Sequence, residues 1–62
     1  MQLTIKQARL ISGKTQADMA AELQMHVQTY AKLEKNPENA TIEQAKRISD
    51  TLKVPIDELF FL

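Results

Sequence analysis

The stretch TQADMAAELQMHVQTYAKLE, Thr15 to Glu34, decides the fold. Thr15 suits a helix N-cap, where a hydroxyl accepts from an unpaired first-turn N–H. Asp18 then falls at the third helical position, so its carboxylate meets the positive end of the helix. Met19, Ala20 and Leu23 follow at helical spacing, which predicts a helix over about 16–23. A second periodic run, 27–35, carries Tyr30 and Leu33 inward. Two helices separated by about three residues must cross steeply. Ala20 is small enough to let them approach, and Met25 plugs the gap at the turn. Leu23, Tyr30 and Leu33 close the small core.

Outward from this pair, a first helix is expected over about 4–12, with Ile5, Ala8 and either Ile11 or Ser12 on one face. Gly13 stands where a helix end favours a left-handed residue. After Lys35, Asn36-Pro37 stops the helix, because proline disfavours helical geometry in the residue before it. Glu38-Asn39-Ala40 is expected to be loop. Thr41 is expected to cap a fourth helix with Ile42, Ala45, Ile48, Ser49 and Leu52 at core spacing. Pro55 suits the first position of a last short helix, 55–60. Alternating β-branched runs and Asn-Gly or Asp-Gly turns are missing, so the expectation is an all-α, five-helix chain.

The chain has 62 residues, which predicts one domain over 1–62. A chain of this size buries only about 60% of its unfolded surface, so its stability is marginal. It has no cysteine and one histidine, so neither disulfides nor a multi-histidine metal site is expected. No apolar run approaches the roughly 20 residues that cross a bilayer. The opening MQLTIKQARL lacks the apolar stretch of a signal peptide, which predicts a cytoplasmic location with no membrane partner. Eight basic and eight acidic residues cancel, against the basic balance usual for nucleic-acid binders, so the placement of individual lysines matters. With no glycine-rich loop and no inward carboxylate pair at helical spacing, an enzyme is not expected.

These residues together resemble the phage-repressor family of helix-turn-helix proteins, the Cro/CI type. The resemblance rests on Thr15-Gln16, Met19-Ala20, Leu23, Met25, Thr29-Tyr30 and Lys32-Leu33-Glu34. It continues through Ile42, Ile48, Leu52, Val54 and Ile56-Asp57-Glu58-Leu59-Phe60, and so covers about 5–62. It implies a compact, phage-repressor-like DNA-binding domain with the helix-turn-helix at about 16–35. The second helix of such a motif lies in the major groove while the first crosses the backbone. The base-contacting candidates are then Val27, Gln28, Ala31 and Lys32. Gln28 can pair bidentately with adenine, Lys32 can donate to guanine, and Val27 can pack on a thymine methyl. The backbone candidates are Thr15, Gln16, His26, Thr29, Lys35 and Asn36; Lys14 is a weaker one. Lysines 14, 32 and 35 would form a local positive face. The resemblance also implies a structural ion pair between Arg9 and Glu34. The partner is a double-stranded DNA operator, with no cofactor, metal or small-molecule substrate.

Three positions depart from the family pattern. Gln24 stands where glycine is usual, because the turn needs positive φ. His26 stands where Ser or Thr caps the recognition helix; protonated, it would favour DNA. Val27 replaces a polar reader. Pro55, Phe60, Phe61 and Leu62 form an apolar end suited to a homodimer, formed in solution or only on DNA, whose recognition helices would lie one DNA turn apart. The alternative for this end is a filled core and a frayed terminus. The alternative function is a protein-interaction module or antitoxin-like domain that keeps the fold with weak DNA binding.

Overall fold

A computed structural model of the chain describes residues 3–60 and is all-helical across them. Five helices follow one another: α1 (Ile5–Ile11), α2 (Gln16–Glu22), α3 (Val27–Lys35), α4 (Ile42–Leu52) and α5 (Ile56–Phe60). None is longer than 11 residues, and isolated helices below about 12–15 residues are marginal in water. Capping and packing must therefore hold them.

Capping at the N-termini is reciprocal. The N–H groups of Gln7, Asp18 and Gln44 donate to the hydroxyls of Thr4, Thr15 and Thr41 at 3.0 Å. The side chains of the same three residues accept from the threonine N–H groups at 2.9 Å. Each box satisfies two donors that a helix start leaves unpaired, and each threonine contributes about 1 kcal/mol.

The C-termini of α1, α2 and α4 share one device. A left-handed residue follows each helix: Gly13 (φ 73°), Gln24 (φ 56°) and Lys53 (φ 58°). The next N–H then reaches back five residues, Lys14 to Arg9 (3.2 Å), Met25 to Ala20 (3.0 Å) and Val54 to Ser49 (3.2 Å). These bonds satisfy carbonyls that a helix end leaves free, and the residue after the reversal turns an apolar side chain inward in two cases. Met25 and Val54 both pack on the core. The tight corner between α2 and α3 is thus a helix-end motif in which glutamine takes the left-handed place.

The core draws on every helix: Ile5 and Ala8, Met19 and Ala20, Tyr30 and Leu33, Ile48 and Leu52, and Leu59, with Leu23 at the turn. Tyr30, Ile5, Met19, Ile48 and Leu59 are fully buried. Burying one such side chain contributes about 1.5–3 kcal/mol. The inward residues expected in α2 and α3 are therefore in place.

Four expectations are corrected. Ile11 is 76% exposed and Ser12 is exposed; Arg9 fills the buried stripe of α1 instead, beside Ile5 and Ala8. On a helix, residue 9 falls beside 5 and 8, whereas residue 11 is rotated away and Ser12 lies past the last turn. Ile42 is 76% exposed. It is the first residue of α4, and helical side chains lean toward the N-terminus, so it projects beyond the core. Residues Pro37–Asn39 form a single 3₁₀ turn rather than open loop, with the Ala40 N–H donating to the Pro37 carbonyl at 3.0 Å. Pro55 precedes α5 instead of opening it, and its carbonyl accepts from the Glu58 N–H at 3.0 Å. No helix among the described residues is long and apolar enough to cross a membrane.

Candidate nucleic-acid interface

The exposed face of α3 follows from which residues the core takes. Tyr30 and Leu33 point inward, and Glu34 is held by Arg9. What remains outside is Val27, Gln28, Thr29, Lys32, Lys35 and the following Asn36, with Ala31 half-buried between them. Gln28, Ala31, Lys32 and Lys35 fall three and four apart, so they form one continuous stripe. Val27 is 39% exposed at the start of that stripe. The four expected base contacts thus share one surface, and none makes a side-chain hydrogen bond or ion pair among the described residues.

The stripe is mounted rigidly. Arg9 Nε donates to Glu34 Oε2 at 2.8 Å and Arg9 Nη2 donates to Oε1 at 3.1 Å, a two-point grip that joins α1 to the end of α3. Arg9 Nη1 donates to the Lys14 carbonyl at 2.8 Å, which adds the α1–α2 turn. Gln16 Nε2 donates to Glu34 Oε1 at 3.2 Å, which adds α2. Burial pushes the Glu34 carboxyl up, but the donors from Arg9 and Gln16 outweigh it and hold it below its usual range. The same bonds raise the Arg9 guanidinium further, against its burial. The Tyr30 hydroxyl is buried beside this cluster without a hydrogen bond within 3.5 Å; burial first, and then Glu34, push it well above its ordinary value.

Several expected contacts carry structural duties as well. The Thr15 hydroxyl oxygen accepts from the Asp18 N–H at 3.0 Å. The Asp18 carboxyl is held low by the Thr15 N–H and hydroxyl and by Lys14. His26 does cap α3: its Nδ1 accepts from the Gln28 N–H at 3.3 Å. That bond requires the proton on Nε2, so the ring presents an N–H outward. The Lys14 ammonium, from the α1–α2 turn, pairs with Glu22 at 3.1 Å.

Sequence reasoning missed Lys6. A groove between α1 and α3 is lined by Lys6, Gln16, Ala31, Glu34 and Lys35, which places Lys6 among the expected contacts. The signal was available. Lys6 stands three residues before Arg9, and residues three apart on a helix are neighbours. Once Arg9 is paired to the end of α3, Lys6 must face the same way. Acidic residues gather elsewhere: Glu22 and Asp50 line a separate groove between α2 and α4 together with Arg47.

Neither a curated protein nor a solved structure matches the chain significantly. A helix-turn-helix family model matches residues 5–59, which takes in all five helices but for the last residue of α5. With α2 and α3 crossing at a four-residue turn and α3 presenting its stripe outward, the chain belongs to the Cro/CI-type helix-turn-helix family of DNA-binding regulators.

Proposed function

We propose that the chain, residues 1–62, acts as one sequence-specific transcriptional regulator of phage or mobile-element type. It inserts α3 into the major groove of a palindromic operator and represses by occupying DNA that polymerase needs. The observation that carries this reading is the unpartnered stripe Gln28, Ala31, Lys32 on a helix anchored through Arg9 and Glu34. Gln28 and Lys32 read bases, and Val27 and Ala31 supply apolar surface to thymine methyls. Thr15, Gln16, His26, Thr29, Lys35 and Asn36 fix the register on phosphates, which carry affinity but no sequence information. The protein works in the cytoplasm, without a cofactor and without enzymatic chemistry.

The operator is bound by a homodimer built on the α4–α5 end. Ile42, Ala45, Ile56 and Phe60 line an apolar groove of about 150 Å³ there, and Ile42 stands largely in water. Phe60 is half-buried against the core and Pro55 is exposed, while Phe61 and Leu62 lie outside the described residues. An exposed apolar patch of this kind marks an interface. Removal of Phe61 and Leu62 is expected to reduce cooperative binding; unchanged cooperativity refutes the dimer.

Selection of binding sites from a random duplex pool at near-physiological salt tests the whole reading. A two-fold motif with half-sites one helical turn apart, about 34 Å, supports regulator and dimer together. A lone half-site removes the dimer. No enrichment by a folded protein favours the protein-interaction module.

A further inference from the structure

Lys6 lies on α1, outside the helix-turn-helix pair α2 and α3, yet it shares a groove with three residues of the proposed DNA-facing surface. That groove holds about 360 Å³ of open space between α1 and α3. Lys6 and Lys35 stand at its walls, and neither ammonium has a carboxylate within 4 Å among the described residues. The one acidic group in the groove, Glu34, is already engaged by Arg9 Nε, Arg9 Nη2 and Gln16 Nε2. Arg9 offsets the Glu34 charge, which leaves the two lysines of the groove without a counter-charge.

We propose that Lys6 and Lys35 together seat one backbone phosphate of the bound DNA in this groove, making α1 a third element of the interface. The assignment rests on the DNA-binding reading given above. Its physical logic is that two point charges on different helices converge on one anion, while the Arg9–Glu34 bond fixes the distance between those helices. Gln28 and Lys32 would then be aligned from α1 as well as from α2. The contact carries no sequence information, because every phosphate is alike.

The test uses the full chain and a random-sequence duplex of about 30 base pairs, so no operator need be known. Each neutralised phosphate contributes about −0.9 to the slope of log affinity against log salt. Lys6→Ala is expected to weaken binding to all duplexes alike and to make the slope shallower by up to about 0.9. Lys6→Arg is expected to restore both. Lys46→Ala, at an exposed site on α4, is expected to leave the slope unchanged. Thermal melting of Lys6→Ala separates lost contact from lost fold, and alanine at an exposed helical site favours the helix. If Lys6→Ala keeps the wild-type slope while Lys35→Ala flattens it, α1 is not part of the interface and DNA binding stands. If the wild-type chain binds no duplex even at low salt, the DNA-binding reading and this assignment fall together.

Discussion

Arg9 and Glu34, 25 residues apart, meet in a two-point hydrogen bond with their side chains only 8% and 5% exposed. They are the principal polar connection between α1 and α3. Pairs buried to this degree act as fasteners: removing one partner strands the other's charge, at about 3–5 kcal/mol. Glu43 and Arg47 form the contrasting case on α4, 3.6 Å apart with side chains 79% and 50% exposed. An exposed i,i+4 pair contributes about 0.3–0.5 kcal/mol. Glu34→Ala is therefore expected to lower stability by about 3 kcal/mol and Glu43→Ala by less than about 0.5 kcal/mol. Denaturant unfolding compares them directly, and equal losses would show that the buried pair is not a fastener.

The same carboxylate makes stability depend on pH. Glu34 and Asp18 both titrate below their ordinary values in the folded chain. The unfolded chain then binds more protons than the folded one as acid is added, so stability falls with falling pH. The contribution is complete above the unfolded carboxylate value, about 4.3 for Glu, and is lost as pH drops through the folded values below it. Glu34→Gln is expected to be less stable at neutral pH and to show a flatter acid limb. Melting temperatures from pH 7 downward decide the matter; parallel limbs for the two proteins would remove Glu34 from the account.

A third prediction concerns the left-handed helix ends. Gln24 and Lys53 adopt positive φ with a Cβ present, which costs about 1–2 kcal/mol each. Glycine relieves that strain but loses about 0.4–1 kcal/mol to the freer unfolded chain. Gln24→Gly and Lys53→Gly are each expected to gain about 0.5 kcal/mol, or about 2–4 °C in melting temperature. Gly13→Ala tests the same quantity in reverse. An added Cβ at Gly13 meets no atom within 4 Å, so its loss, about 1 kcal/mol, isolates the backbone term. A stable Gly13→Ala would show that these turns tolerate a side chain freely.

How much of this the sequence carried follows from how local each signal is. Thr15 with Asp18 and Thr41 with its helix were legible because a cap involves residues three apart. Positive φ at Gln24 was legible only through the family pattern, since glutamine itself gives no sign of it. Ile11 and Ile42 were misplaced inward because periodicity shows which face a residue joins, not whether a neighbour lies opposite. Lys6 escaped for the converse reason. Its spacing to Arg9 points to the groove only once Arg9 is known to pair with Glu34 on another helix.

The exposed stripe of α3 yields the last prediction, in which two residues about two turns apart do different work. Gln28 carries an amide that on the proposed reading pairs with one base, so Gln28→Ala is expected to cost about 1–3 kcal/mol at the selected operator and to relax preference at one position. Its effect on random duplex should be small, because the amide neutralises no phosphate. Lys35 stands at the far end of the stripe beside the groove shared with α1. Lys35→Ala is expected to weaken operator and random duplex alike and to flatten the salt dependence by up to about 0.9. Titrating both variants against both duplexes over a range of salt gives four curves. Reading and holding are separate functions on α3 only if the losses cross, with Gln28→Ala selective and Lys35→Ala uniform. A uniform loss from Gln28→Ala would move base reading to Lys32 and the apolar pair Val27 and Ala31.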